Sequence, residues 1–341
     1  MSERKLKNIL ITGGAGFIGS HVVEHFVRKY PNYLIVNIDK LTYASNIEEN
    51  LKSINNDPLV TNYVFVKGDI CDRNLIEQIF KDCKVSDVIH LAAESHVDNS
   101  IKDPSVFVKT NVNGTYTLLD VCREFWKDNY DLHRFHHVST DEVYGALDNN
   151  PEHKFHEYTA YNPHSPYSAS KAASDHFVKA YHDTYGLNVT ISNCSNNYGP
   201  HQHNEKLIPH VIRCLMNNEK IPIYGLGINI RDWLYVEDHV RAIDDIFHNG
   251  TSGETYNVGG NNELTNNDLI KMIVKVYSKL THQESTIDFK NVVKYVVDRK
   301  GHDLRYAIDS SKLQNELNWK PTMDFEKNLK NTILYYINHN K

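Results

Sequence analysis

The feature that most constrains this chain is the stretch ITGGAGFIGS, Ile11 to Ser20, which links an apolar run (NILITG) to an amphipathic one (FIGSHVVEHFVRKY). Gly14, Gly16 and Gly19 satisfy the G-x-G-x-x-G spacing, and Gly13, Gly16 and Gly19 satisfy G-x-x-G-x-x-G. In a strand–turn–helix setting one glycine allows the tight turn. Another lets a pyrophosphate reach the backbone, and a third lets helix and strand pack closely, while the helix N-terminus faces the negative charge. The next apolar run, YLIVNID, ends in Asp39, twenty residues after Gly19. A carboxylate there accepts hydrogen bonds from ribose hydroxyls and repels a 2′-phosphate, so NAD is expected rather than NADP. The competing reading is a glycine turn with no cofactor. The expected cofactor site starts with Gly13, Gly16, Phe17, Ile18 and Gly19, and continues with Asp39, Lys40, Leu41 and Thr42.

Further runs continue the alternation. YVFVKGDI, DVIHLAA, RFHHVST and NVTISNCS read as strands; RNLIEQIFKD, PSVFVKTNVNGTYTLLDVCREFW and SPYSASKAASDHFVKAYHDTYG read as helices. Strands alternating with helices argue for an α/β fold with a doubly wound parallel sheet, a Rossmann domain. We place that domain at residues 1–196 with returning segments at about 232–260. A smaller, irregular α/β substrate-binding region takes most of 197–341, where loops lengthen. Strand ends add Asp69 and Ile70, and then Leu91, Ala92, Ala93 and Ser95, to the cofactor site, with Thr110 and Asn197. For Asp69 a helix N-cap is the alternative, and for the two alanines plain small-residue packing.

The 341 residues carry 37 basic and 43 acidic side chains, a formal net charge of −6. No basic stripe is present, so neither nucleic acid nor an anionic membrane surface is an expected partner. No apolar run is long enough to span a bilayer. Five cysteines without CxxC spacing suit a reducing cytoplasm, and the scattered histidines give no metal-ligand pattern.

YSASK places Tyr167 and Lys171 four residues apart, on one helix face, with Pro166 suited to the first turn. An ammonium beside a phenol lowers its pKa and makes it usable as a base; a surface pair is the alternative. RFHHVSTDEVYG sets Asp141 and Glu142 side by side where a strand stops. The pair reads either as a helix start capped by Ser139 or Thr140, or as a proton-transfer pair at the carboxyl end of a parallel strand.

Glycine loop, Asp39, strand-end Ser/Thr and Tyr-x-x-x-Lys stand in the order that resembles the extended short-chain dehydrogenase/reductases. STDEVYG, HLAAESHVD, SPYSASKAASDH, NCSNNYGP, EKLIP, RDWLYVEDH and GHDLRYAID resemble its nucleotide-sugar 4,6-dehydratases, over most of the chain. The resemblance implies that Tyr167 takes the proton of the sugar 4-hydroxyl while the C4 hydride passes to NAD. It further implies Glu142 as the C5 base, Asp141 as the acid for the 6-hydroxyl, Thr140 at the 4-oxygen and Lys171 beside Tyr167. The residues alone do not order the two acids. Implied substrate contacts are Ser95, Asn196, Lys206, Leu207, Pro222, Ile223, Tyr224, Arg231, Asn266, Arg299, His302 and Arg305. The implied substrate is dTDP-glucose and the implied assembly a homodimer; a UDP-glucose dehydratase, or a UDP-sugar epimerase or decarboxylase, is the alternative. Ser45, Asn99, Asn204 and Lys300 depart from the family's usual Gly, Arg, Pro and Pro.

Overall fold

The structure is a computed structural model and describes residues 6–298 and 301–339. Seven parallel strands form the main sheet: β1 (Asn8–Thr12), β2 (Leu34–Asp39), β3 (Tyr63–Lys67), β4 (Asp87–His90), β5 (Arg134–Thr140), β6 (Val189–Cys194) and β10 (Thr255–Val258). Their order is β10-β6-β5-β4-β1-β2-β3. β1, β4 and β6 are buried along nearly their whole length, because helices cover both faces of the sheet; even the polar Thr190, Ser192 and Asn193 of β6 lie inside. Strand order reverses where β1 pairs with β2 on one side and β4 on the other, which opens a crevice at the carboxyl ends of those strands.

After β6 the chain builds a second, smaller body. β7 (Asn196–Tyr198), β9 (Ile230–Tyr235) and β11 (Glu263–Thr265) form one sheet; β8 (Ile221–Tyr224) pairs in parallel with β12 (Val293–Val296). Helices Leu207–Met216, Asn266–Leu280 and Phe325–His339 enclose its core, which includes Ile212, Ile273 and Leu329 at 0% exposure. Each such side chain contributes about 1.5–3 kcal/mol by leaving water. Between the two bodies the chain returns: helix Val236–Asn249 packs beside helix Phe17–Lys29, and β10 adds to the main sheet at β6. Among the described residues no helix is long and apolar enough to cross a membrane.

The long helical segment before β5 is not uniform. Pro104–Phe107 and Thr115–Phe125 are α-helical, but Val108–Gly114 between them winds as a π-helix. Such wide turns are rare and frequently occur at functional sites. This one carries Thr110 and Asn111.

Candidate active site

The crevice at the strand reversal is the mouth of a cavity of about 300 Å³. Gly13, at φ +73°, sits where a Cβ would fall 2.8 Å from the Ala92 backbone. At Gly19 a Cβ would lie 2.1 Å from the Gly13 carbonyl, so helix and turn are in direct contact. Gly16 caps the helix Phe17–Lys29 without a side-chain hydrogen bond, leaving the first-turn N–H groups to the cavity. Gly14 packs instead on Asn37, so the glycines of this loop that line the cavity are Gly13, Gly16 and Gly19.

Phe17, Ile18, Asp39, Lys40, Thr42, Asp69, Ile70, Leu91, Ala92, Ala93, Ser95, Thr110 and Asn197 also line it. Leu41 does not; its role is a backbone N–H donated to Asp39 at 2.8 Å from a left-handed φ of 57°. Asp39 is 6% exposed and accepts two further bonds, from Ala15 N–H at 3.0 Å and the Ser45 hydroxyl at 3.0 Å. The carboxylate therefore ties the glycine turn to the loop after β2, with about one of its four acceptor positions left over. Asp69 does not cap a helix, since Asp72 does that through Leu75 N–H. Asp69 pairs with Lys40 at 2.8 Å and lines the cavity; burial raises its pKa, but the Lys40 ammonium and Cys71 N–H outweigh that and hold it below the ordinary range.

At the other end of the cavity β5 runs straight into a 3₁₀ turn, Asp141–Tyr144, capped by Thr140, whose hydroxyl accepts Glu142 N–H at 3.3 Å. Capping and an acid pair therefore coexist. Thr140, Asp141, Glu142, Tyr167 and Lys171 all face the same cavity. Helix Pro166–Tyr185 starts at a capping box of Ser165 and Ser168 with Pro166 at its first position, and stops at Gly186 in the left-handed conformation. Asn111, in the π-helical turn, holds the neighbouring loop by bonding Glu94 N–H (2.8 Å) and Glu94 carbonyl (3.0 Å), and also reaches Ser170 Oγ at 2.8 Å on the Tyr–Lys helix.

The electrostatics separate the groups. Asp141 is 2% exposed and its Oδ2 has no hydrogen-bond partner. Burial, then the charges of Glu142 and Asp232, push its carboxyl well above the carboxylate range against the pull of Arg231. This environment favours the protonated form of the carboxyl, the form a general acid needs. Tyr167 corrects the expectation drawn from Tyr-x-x-x-Lys. Its phenol is driven up, by burial and then by Glu142, although a Thr140 hydrogen bond works the other way. Lys171 does not offset this because its ammonium donates to the Val138 carbonyl at 2.9 Å and lies 3.4 Å from His137 Nε2.

Of the substrate residues expected, Ser95, Asn196 and Lys206 line the same cavity, and Lys206 donates to the Ser95 carbonyl at 3.0 Å. Asn196 Oδ1 is buried without a hydrogen-bond partner. Leu207 opens its helix just beyond. Pro222, Ile223 and Tyr224 lie on β8 and are not among the residues lining the cavity; Ile223 is buried in the core of the smaller body, and the Tyr224 ring meets His302 edge-on at 6.4 Å. Asn266 starts the helix after β11, and Arg231 on β9 lies under the Tyr306 ring and close enough to act on Asp141. Arg299 lies outside the described residues, as does Lys300. Arg305 is neither a phosphate ligand nor a surface ion pair. It is 1% exposed, pairs with Glu263 through two nitrogens (2.7 and 3.1 Å) and donates to the carbonyls of Asn150 and His153, so its donors are spent on structure. The sequence reading missed Glu94, Cys194, Ser195, Gln202, His203 and Glu205, which line the cavity; Cys194 ends β6 and the others lie on loops, where no periodicity marks a facing residue.

A family model described as GDP-mannose 4,6 dehydratase matches residues 10–332. A dTDP-glucose 4,6-dehydratase of Escherichia coli is 47% identical over 344 residues, covering 97% of this chain and 94% of that protein. Among solved structures, the dTDP-glucose 4,6-dehydratase from Bacillus anthracis in complex with NAD is 43% identical with a TM-score of 0.85, covering 98% of this chain and 97% of that one. The enzyme of that name from Streptomyces venezuelae, with NAD and TYD bound, is 42% identical with a TM-score of 0.88, covering 97% of each chain. The chain belongs to the nucleotide-sugar 4,6-dehydratase family and groups within it with the dTDP-glucose 4,6-dehydratases.

Proposed function

We propose that this protein dehydrates dTDP-glucose to dTDP-4-keto-6-deoxyglucose. The observation that carries the reading is Asp141, buried beside Glu142 at the end of β5 in surroundings that favour its protonated form, within the cavity that also holds Tyr167. An epimerase needs no acid to expel a hydroxyl; a dehydratase does, because hydroxide is a poor leaving group. The relatives named above support dTDP over UDP as the nucleotide.

NAD fits the cavity: Gly13, Gly16 and Gly19 present no side chain beside the uncapped N–H groups of the first helix, with Asp39 held against the turn by Ala15 N–H. The expected cofactor residues from Gly13 to Asn197 would hold it. When bound, NAD supplies a hydride acceptor that can give the same hydride back, so no net oxidant is consumed. The protein's own groups do the rest. Tyr167 receives the proton of the 4-hydroxyl, with Thr140 holding that oxygen; the phenol needs a positive charge brought to it, and Lys171 lies one turn along the same helix. The resulting 4-ketone acidifies the C5 proton, which Glu142 removes, while Asp141 protonates the departing 6-hydroxyl. Walls from both bodies of the fold exclude water. Asn196, Lys206, Leu207, Pro222–Tyr224, Arg231, Asn266, Arg299 and His302 hold the nucleotide and diphosphate.

A homodimer accounts for an apolar face shared by the helices before β5 and after Ser165: Val108 is 52% exposed, Tyr116 44%, Phe177 41% and Tyr185 45%. A cytoplasmic setting suits five unpaired thiols.

The test offers purified protein dTDP-glucose and UDP-glucose separately, with no cofactor added, and follows product mass. Loss of one water from the dTDP sugar, faster than from the UDP sugar, is expected. A product of unchanged mass would replace the reading with epimerisation.

A further inference from the structure

Between the Tyr–Lys helix and β5 lies a buried polar cluster of which the reaction scheme uses Lys171 alone. Lys171, His137 and Asp175 are 4%, 0% and 1% exposed. His137 Nε2 stands 3.4 Å from the Lys171 ammonium and 3.1 Å from Asp175 Oδ1. Asp175 Oδ2 accepts the Ser139 hydroxyl at 2.8 Å and the Tyr161 hydroxyl at 3.0 Å. Asp175 is one turn beyond Lys171, as Lys171 is one turn beyond Tyr167, so the three occupy one helix face.

A single imidazole nitrogen cannot serve both neighbours. As placed, Nε2 meets the Lys171 ammonium, and Asp175 Oδ1, 3.1 Å away, has no hydrogen-bond partner; a proton on Nε2 would let it turn to that oxygen, and without one it accepts from Lys171. The protonated arrangement lets the ammonium turn toward Tyr167 by giving up the Val138 carbonyl. A buried ammonium also needs a counter-charge or it sheds its proton. The other titratable groups facing the cluster are His90 on β4, with its ring 5.2 Å from that of His137, Cys194 on β6, and His176 on the helix itself. Among these, Asp175 is the carboxylate.

We propose that Asp175, acting directly and through His137, is a positioning residue that keeps Lys171 charged and able to swing to Tyr167. The proposal rests on the reading of Tyr167 and Lys171 as a catalytic pair. The titration behaviour agrees with it. Burial pulls Lys171 down and Asp175 resists that pull, while burial pushes Asp175 itself up to about 6 against Lys171, Ser139 and Tyr161.

The experiment uses dTDP-6-deoxyglucose, which can be oxidised at C4 but has no 6-hydroxyl to lose, so the acids Asp141 and Glu142 drop out. Single-turnover NADH absorbance is followed across neutral pH for the NAD-loaded wild type, Asp175→Asn and Tyr161→Phe. Asp175→Asn is expected to slow C4 oxidation about tenfold at neutral pH and to move the acid limb of the profile up by about one unit, with KM unchanged. Tyr161→Phe, which keeps the charge and removes one donor to it, moves the limb the same way by less, and remains decisive should the first variant fail to fold. A rate lowered equally at every pH, an unmoved limb or a downward shift in folded variants overturns the proposal. Wild-type protein that neither oxidises the analogue nor dehydrates dTDP-glucose sinks the functional reading instead.

Discussion

Replacing Asp141 by Asn should make the protein more stable and far less active. The carboxyl is 2% exposed, and burial with Glu142 and Asp232 nearby raises its folded-state pKa well above the unfolded value. For a group raised in this way, the favourable protonated form is fully present below the unfolded pKa. Its contribution is lost as pH climbs through the folded one. Each unit of the rise is worth about 1.4 kcal/mol, withheld from the wild type at a pH above both values. Asn is neutral at every pH and nearly isosteric, so it escapes this loss. The melting temperature of Asp141→Asn should therefore exceed that of the wild type in mildly alkaline buffer, and the two should converge below the pKa of an unfolded aspartate. The same variant should lose about 10²–10⁴ in kcat, the contribution typical of a positioned acid. NADH should then build up, since C4 oxidation proceeds and water loss does not. Thermal melts at several pH values, with absorbance-monitored turnover, test both halves. A melting difference independent of pH would show that Asp141 is ionised in the fold and would refute its assignment as the acid.

Other outcomes follow from the same geometry. Glu142→Gln should also lower kcat by about 10²–10⁴ while leaving C4 oxidation detectable, read as NADH appearing without water loss. Gly13→Ala should abolish NAD retention, because its Cβ would fall 2.8 Å from the Ala92 backbone at a φ of +73°; ultraviolet absorbance of the purified protein reports the bound cofactor. Arg305→Met should destabilise folding by about 3–5 kcal/mol by leaving Glu263 and several carbonyls without their donor, with KM unchanged in the folded fraction. Asp244 is held below the carboxylate range despite burial by His248, His25, Lys29 and Tyr30. Its contribution is present above the unfolded aspartate pKa and lost as pH falls, so Asp244→Asn should flatten the acid side of the stability profile.

What could be read from sequence was what local periodicity and backbone special cases encode. Strands β1, β2 and β4 are largely buried and carry short apolar stretches, and Gly13, Pro166 and Gly186 sit where their backbone preferences fit. The five residues proposed as catalytic line one cavity because Thr140 ends β5, Asp141 and Glu142 open the turn after it, and Tyr167 in a first helical turn sets Lys171 one turn on along the same face. Arg305 was misread because a buried ion pair with Glu263 depends on a contact 42 residues away that no spacing reveals. The direction of the Tyr167 shift was misread for a similar reason. Four-residue spacing puts Lys171 on the right face, but the ammonium goes to the Val138 carbonyl and His137, both supplied by β5. The π-helical turn and the clamp by Asn111 leave no pattern in an otherwise helical segment.

The central claim is an internal redox cycle coupled to water loss, and dTDP-glucose carrying deuterium at C4 tests it most directly. The account predicts product lighter by one water with the deuterium moved to C6, in protein given no outside reductant. Deuterium still at C4, or lost to solvent, would contradict it.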